Sequence, residues 1–211
     1  MIAVEVAADV PNKERIMTKS IIKTAATASD EASTIDVLVR AFSTDPVAQW
    51  IWPDPQQYHM HFPSFVRVFG GKAFIHGSAD YVDGYAGAAL WLPPNVLPDE
   101  DVLISIFQHS VSEQSQNNVF ALFDQMGHYH PSESHWYLPL MGVDPLKQGK
   151  GFGSALMQHA LMRCDRDNKP AYLESSNPRN IPLYERFGFE LLGTIQIGTS
   201  PHIFLMLRRP R

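Results

Sequence analysis

The 211-residue sequence contains one cysteine, Cys164, which excludes an internal disulfide and a zinc site built from cysteines. It also lacks an uncharged apolar run of about eighteen residues, so it predicts no transmembrane helix and no membrane partner. Acidic residues and a proline interrupt the N-terminal stretch where a secretory signal would be apolar. We therefore expect a cytoplasmic protein.

Charged residues are scarce as well. They make up 18% of the chain and give a formal net charge of −5, which does not favour a nucleic-acid partner. Residues 147–186 are the exception, because seven basic and four acidic side chains give this segment a charge of +3. The segment is expected either to attract an anionic ligand or to be a solvated helix face. The second explanation fits Arg163 and Arg166 better than Lys147 and Lys150.

Length and a hydrophobic content of 45% fit one globular domain. We expect residues 1–17 to be a loose N-terminal extension and residues 18–211 to form the domain. The patterns in the first half predict a strand over 20–25 and a helix capped by Asp30 or Ser33. They also predict a helix within 55–74, interrupted at Pro63 and closed at Gly70-Gly71, a hairpin turned at Asp83-Gly84, and a helix after residue 99 broken near 116–118.

The second half alternates strands and helices. "HWYLPLMGV" (135–143) is apolar on both faces, as in a strand at the middle of a sheet, and Pro139 within it indicates a bulge. A helix from Phe152, a strand over 171–176, a short helix in 177–189 and two final strands follow. Because a strand, a helix and a second strand form a crossover unit, the strands at 135–143 and 171–176 should be parallel neighbours.

The stretch "KQGKGFGSAL" (147–156) joins that central strand to its helix. Gly149, Gly151 and Gly153 would leave amide N–H groups open at the helix N-terminus, an arrangement that suits a phosphate or pyrophosphate. A Walker loop is disfavoured because no Ser or Thr follows Lys150, and a Rossmann loop is disfavoured because Ser154 replaces the third glycine. A flexible turn is the alternative.

Gln148, Gly151 and Gly153, directly after a buried strand, resemble the acyl-coenzyme A pyrophosphate loop of the GNAT acetyltransferases. "NPRNIPLYERFGF" (177–189) is similar to the family's second site element, in which an asparagine and a tyrosine face the coenzyme. Together with "PAYLESS", these segments resemble the puromycin N-acetyltransferase branch over residues 136–190. The resemblance implies an α/β GNAT fold: a mixed central sheet of six or seven strands flanked by helices, with a splayed parallel strand pair at the coenzyme site.

The resemblance also implies acetyl-CoA as cofactor and a set of coenzyme-binding residues. These are Met141, Gly142, Val143, Gln148, Gly149, Lys150, Gly151, Phe152, Gly153, Ser154, Asn180 and Tyr184. Pro139 would help to open the gap between the splayed strands, and an amide of residues 141–143 would stabilise the oxyanion. Asn180 would either cap its helix or bond the coenzyme.

Two residues are expected to carry the chemistry. Tyr184, with an ordinary pKa of about 10, would protonate the departing thiolate; core packing is its alternative role. Glu174 shares a strand face with Tyr172 and Ser176, and it would act as the general base, bind the acceptor's ammonium group, or only brace the backbone. His128 and His130 are further candidates for the base, although neither has the spacing of a metal ligand.

The first half is expected to bind the acceptor. Trp50, Trp91 and His128 are the predicted substrate residues, with Trp52, Tyr58 and Phe62 as further aromatic surface. Packing in the hydrophobic core is the alternative role of the aromatic residues. The predicted function is N-acetylation of a small or aminoacyl-type primary amine by a monomer or homodimer without a metal. A protein or peptide N-acetyltransferase and a non-catalytic acyl-CoA-binding module remain the alternatives.

Overall fold

The computed structural model describes residues 21–211, so the predicted extension over residues 1–17 lies outside the described residues. The strands in that range are β1 (Ile22–Thr24), β2 (Ala79–Val82), β3 (Gly87–Leu92), β4 (Trp136–Val143), β5 (Ala171–Ser175), β6 (Glu190–Ile195) and β7 (Ile203–Arg208). They form one seven-stranded sheet in the order β1-β2-β3-β4-β5-β7-β6. Every neighbouring pair is antiparallel except β4–β5, which is parallel.

The helices are α1 (Ala28–Phe42), α2 (Pro46–Ile51), α3 (Pro55–Phe69), α4 (Lys72–Ile75), α5 (Glu100–Ser110), α6 (Glu113–Tyr129), α7 (Phe152–Arg166) and α8 (Ile181–Arg186). The sheet separates two hydrophobic cores. Leu38, Phe62 and Leu122 belong to the core under α1, α3 and α6, and Trp91 and Leu156 belong to the core under α7. The predicted α/β class, the parallel β4–β5 pair and the hairpin turn at Asp83-Gly84 are confirmed.

The cap of α1 differs from the sequence-based expectation. Thr27 is the N-cap, and its Oγ1 atom accepts a hydrogen bond from the backbone N–H of Asp30 at 3.1 Å. The Asp30 carboxylate in turn accepts a bond from the Thr27 N–H at 3.0 Å. This reciprocal pair is a capping box, so Asp30 occupies the third helical position and neither Asp30 nor Ser33 is the cap.

Pro63 does not interrupt α3, contrary to the prediction. Aromatic rings along one face of the helix pack on each other on both sides of the proline, with ring centroids 4.7 Å apart for Tyr58 and Phe62 and 5.0 Å apart for Phe65 and Phe69. Burying this face stabilises the helix against the loss of one backbone hydrogen bond. The last helical residue is Phe69 and Gly70 is the C-cap, as predicted.

Helix α2 was not expected, and the break before α6 falls at 111–112 rather than near 116–118. Val111 is buried at that break and Ser112 occupies the N-cap position of α6. Because α6 continues to Tyr129, the loop before β4 begins only at His130.

Arg163 is also not a solvated residue. Its guanidinium bonds the fully buried carboxylate of Asp80 on β2, and only 16% of its side chain is exposed. Between residues 21 and 211, none of the helices has the length and apolar character needed to cross a bilayer. Over the same range, no cluster of three His, Cys, Asp or Glu side chains is arranged to hold a metal ion.

Candidate active site

Strands β4 and β5 separate partway along their length. Their parallel pairing runs only from Trp136 opposite Ala171 to Leu138 opposite Leu173, although β4 continues to Val143. Beyond Leu138 the edge of β4 that faces β5 therefore has no strand partner. Alternate residues of that stretch turn their N–H and C=O groups toward the gap.

Pro139 lies where the two strands separate. On its other side β4 pairs with β3, and the register moves from Leu92 opposite Tyr137 to Leu90 opposite Leu140. Two residues of β4, Leu138 and Pro139, thus stand against one residue of β3. This is the predicted bulge, and the proline that creates it has no N–H to offer a neighbouring strand.

The chain then makes a tight turn before α7. Asp144 accepts a hydrogen bond from the Leu146 N–H at 3.0 Å and pairs with Arg40, whose Nε atom lies 3.2 Å from its carboxylate. The side-chain amide of Gln148 donates back to the carbonyl of Val143 at 3.3 Å. These contacts hold the turn against the end of β4. The Gln148 side chain therefore stabilises the loop to which it belongs.

Gly149 and Gly151 have φ angles of +75° and +83°, a left-handed conformation that favours glycine. A Cβ atom added at either position would meet nothing within 4 Å, so the space before the loop is open. Gly151 is the N-cap of α7 and has no side chain to bond the first amides; the Ala155 N–H is the one that donates to its carbonyl, at 3.0 Å. The N–H groups of residues 152–154 are left for an external acceptor.

Gly142 has a different reason to be glycine. A Cβ atom there would lie 2.5 Å from the Cβ of Ala41, so the residue allows α1 to pack closely on β4. Gly142 remains a predicted coenzyme contact through its backbone.

Helix α8 brings Asn180 and Tyr184 to the separated strands. Asn177, not Asn180, makes a capping bond, since its side chain accepts from the Arg179 N–H at 3.0 Å. Asn180 occupies the N-cap position of α8 without a capping bond, so its side chain is free for other contacts. Tyr184 is buried, and burial raises the pKa of its hydroxyl well above the usual value, with a further rise from the charge of Asp45.

These elements enclose the splay cavity, which we define by Pro139 and Met141 of β4, Glu174 of β5, and Asn180 and Tyr184 on α8 and its N-cap. It brings together residues expected to contact the coenzyme and both residues expected to carry the chemistry. The cavity continues between α2 and α3, where its walls are apolar.

Asp45 is a member of this site that the sequence analysis missed. Its carboxylate caps α2 by accepting from the N–H groups of Val47 and Ala48, each at 3.0 Å, and it also accepts a hydrogen bond from the hydroxyl of Ser176. Burial raises the pKa of Asp45, while these hydrogen bonds oppose the rise. The Asp-Pro pair at 45–46 is the sequence signal for this cap.

A second cavity, of about 650 Å³, lies beside α5 and α6. We call it the α5–α6 cavity and define it by Leu97, Ile104, Phe107, Phe123, Asp124 and Glu174. It shares Phe69, Phe123, Met126 and Glu174 with the splay cavity, so the two spaces meet at these side chains. Glu174 is the charged residue at the junction.

Glu174 is deeply buried, with 3% of its side chain exposed. Its Oε1 atom lies 3.2 Å from the Nε2 atom of His130, yet neither Oε1 nor the hydroxyl of Tyr172 has a protein hydrogen-bond partner. Burial, followed by the carboxylate of Glu174, raises the pKa of Tyr137 and of Tyr172. Buried polar atoms are normally hydrogen-bonded, so a ligand with N–H groups fits this position.

The predicted substrate residues are not all at the two cavities. His128 lines the α5–α6 cavity, but its side chain is 73% exposed and its Nδ1 atom lies 3.6 Å from Asp124. Trp91 is fully buried in the core under α7, because β3 turns its side chain to the opposite face of the sheet. Trp50 packs on the other core and donates to Thr199 at 3.3 Å, outside the lining of both cavities.

The three further aromatic residues differ in their positions. Trp52 and Phe62 line the splay cavity. Tyr58 is buried, with its hydroxyl donating to the carbonyl of Val39 at 2.7 Å.

Comparison with known proteins finds a family model and a relative that are similar to this chain. Residues 98–189 match the model of the acetyltransferase (GNAT) family. A protein of Schizosaccharomyces pombe described as an uncharacterized N-acetyltransferase is 28% identical over 200 residues, covering 87% of this chain and 81% of that protein. The family match includes the glycine loop at residues 149–153.

Solved structures share the fold. The crystal structure described as histone acetyltransferase HPA2 and related acetyltransferase from Corynebacterium glutamicum has a TM-score of 0.69 and 26% identity, covering 92% of this chain and 98% of that one. Arylalkylamine N-acetyltransferase 2 from Aedes aegypti has a TM-score of 0.63 and 12% identity, covering 90% and 99%. Residues 98–189 are thus similar to the acetyltransferase (GNAT) family, and the chain shares the fold of these solved acetyltransferases.

Proposed function

We propose that this protein transfers an acetyl group from acetyl-CoA to the primary amine of a small or aminoacyl-type acceptor. The observation that carries the proposal is the position of Glu174, a buried carboxylate at the junction of the splay cavity and the α5–α6 cavity. One cavity would receive the acyl donor and the other the amine, so that the two reactants meet beside Glu174. An aminoacyl acceptor is included because the motifs of residues 136–190 resemble the puromycin N-acetyltransferase branch.

The residues around the glycine loop fit an acyl-coenzyme A. The open amides at the N-terminus of α7 and the two left-handed glycines suit a pyrophosphate, with Gln148 and Lys150 in the same turn. The unpaired edge of β4 at residues 141–143 suits the amide groups of the pantetheine arm. When bound, the coenzyme supplies an acetyl thioester and a thiolate leaving group.

Side chains and backbone groups of the protein would carry out the proton transfers and stabilise the oxyanion. Glu174 accepts a proton from the acceptor's ammonium group or holds that group in place. Tyr184 keeps its proton at neutral pH because burial raises its pKa, so it can donate a hydrogen bond toward the departing sulfur. An N–H of residues 141–143 would stabilise the oxyanion. A reducing cytoplasm suits the single buried cysteine.

The experiment that tests this function combines acetyl-CoA with a library of primary amines and measures release of free thiol. Amine-dependent release, with the N-acetyl product found by mass spectrometry, supports the proposal. Acetyl-CoA binding without release for any amine would instead indicate an acyl-CoA-binding module. Acetylation of incubated proteins but not of small amines, measured by intact mass, would indicate a protein or peptide acceptor.

A further inference from the structure

We propose that the α5–α6 cavity holds the body of the acceptor, and that this acceptor is a hydrophobic primary amine with no anionic group. The inference rests on the proposed function and adds the chemical class of its second substrate. It is drawn from the lining of the cavity, its charges and the unpaired atoms at its inner end.

The lining is mainly apolar and aromatic. Four phenylalanines face the cavity: Phe69, Phe107, Phe120 and Phe123. Leu97 and Ile104 line it as well and are 51% and 44% exposed, so the route from solvent is apolar too. A volume of about 650 Å³ is that of a site for a drug-sized ligand. Burial of an aromatic or branched aliphatic body would therefore contribute most of the binding free energy.

Apart from His128 and His130, the ionisable groups with an ordinary charge that line the cavity are carboxylates. Glu174 lies at its inner end, while Glu100 and Asp124 are exposed residues of its lining. No lysine or arginine lines it among residues 21–211. An ammonium group is attracted by these carboxylates, whereas a carboxylate on the acceptor would be desolvated without a cationic partner.

The inner end also offers unpaired acceptors for the amine. The Oε1 atom of Glu174 and the Nδ1 atom of His130 are buried and have no protein hydrogen-bond partner. A primary ammonium group has three N–H donors, so it can bond Glu174 and still leave a donor for a neighbouring group. This orientation directs the nitrogen to the splay cavity and the apolar body along α5 and α6.

The test compares acceptors that differ in one group. Phenylalaninamide and phenylalanine share the ring and the amine, but the free amino acid adds a carboxylate. We expect kcat/KM for the amide to exceed that for the amino acid by on the order of 10- to 100-fold. The amine 2-phenylethylamine should likewise be preferred over ethanolamine, which has no apolar body.

A pair of variants on α5 tests the cavity directly. Ile104→Arg places a cation in the lining and should raise KM for 2-phenylethylamine while narrowing the preference for phenylalaninamide over phenylalanine. Val102→Arg is the matched control, because Val102 is 42% exposed on the same helix but does not line the cavity. Thermal unfolding of both variants checks that the fold is retained.

The outcomes separate the two proposals. Efficient acetylation of phenylalanine or ethanolamine, or the same kinetics for Ile104→Arg and Val102→Arg, would overturn the acceptor class and leave the N-acetyltransferase function standing. If no amine is acetylated although acetyl-CoA binds, the function fails and the acceptor class fails with it.

Discussion

The Nε2 atom of His130 lies 3.2 Å from the Oε1 atom of Glu174, at the place where the two cavities meet. His130 is the C-cap of α6, and Glu174 lies on β5. The contact therefore links a helix that lines the α5–α6 cavity to a strand that borders the splay cavity. By position, His130 is the histidine partner of Glu174, whereas His128 lies two residues earlier on an exposed part of α6.

Glu174→Gln should separate chemistry from coenzyme binding. The amide keeps the size of the side chain but cannot accept a proton, so we expect kcat to fall by roughly 10²- to 10⁴-fold. Acetyl-CoA affinity, measured by calorimetry, should stay unchanged. Glu185→Gln is the control, because this carboxylate is exposed on α8 and lines neither cavity. A rise in the acceptor's KM with kcat unaltered would make Glu174 a substrate contact instead of a base.

The coenzyme loop can be tested at Gly151. Gly151→Val places a branched side chain in the open space before the α7 amides, and acetyl-CoA affinity should fall at least about tenfold, the effect of roughly 1.4 kcal/mol. Because valine is also strained at a φ of +83°, the control is Gly77→Val, with a φ of +63° and no atom within 4 Å of the added Cβ. If calorimetry gives the same acetyl-CoA affinity for the two variants, the loop does not bind the coenzyme.

Tyr184→Phe removes the hydroxyl and keeps the ring against Phe189, whose centroid lies 6.0 Å away. If Tyr184 assists the leaving thiolate, kcat should fall by roughly 10²- to 10⁴-fold with the melting temperature nearly unchanged. A thioester with a better leaving group should recover much of the loss. Near-native turnover would leave Tyr184 as a packing residue.

Tyr58→Phe is the matched control for that experiment. Tyr58 is buried, but its hydroxyl donates to the Val39 carbonyl and its side chain lines neither cavity. We expect a loss of about 1 kcal/mol in the free energy of unfolding, with turnover preserved.

The Arg208–Asp165 pair predicts a pH-dependent contribution to stability. Two hydrogen bonds of 2.7 and 2.9 Å join the side chains, and the guanidinium of Arg208 is 4% exposed. Asp165→Asn should lower the free energy of unfolding by roughly 1–3 kcal/mol near neutral pH, since it leaves a buried cation without its counterion. Urea unfolding measures the change.

The sign of the pH effect follows from the pKa of Asp165. Arg208 holds it below the ordinary value of 3.8, so the carboxylate's stabilisation is present above that value and is lost as pH falls through the folded pKa. The difference between wild type and Asp165→Asn should therefore shrink below about pH 4. Asp83→Asn, at an exposed pair with Lys23, should have a much smaller effect at every pH. A constant difference for Asp165→Asn would contradict this account.

The sequence determined the elements whose signals are local. A run that is apolar on both faces gave β4, the proline within it gave the bulge, and the Asp83-Gly84 pair gave the hairpin. The glycines before α7 gave the open helix N-terminus for the same reason: backbone conformation at Gly149 and Gly151 depends on the residue itself.

The tertiary structure decided which side chains meet. Whether Trp91 faces an acceptor or a core depends on the face of the sheet that β3 presents, and whether Arg163 is solvated depends on a carboxylate on β2. Glu174 was identified as a candidate from the sequence, because it shares a face of its strand with Tyr172 and Ser176. That His130 contacts it and that two cavities meet beside it followed only from the packing of α6 on the sheet and of α5 on α3 and α6, because contacts between residues distant in sequence leave no local pattern.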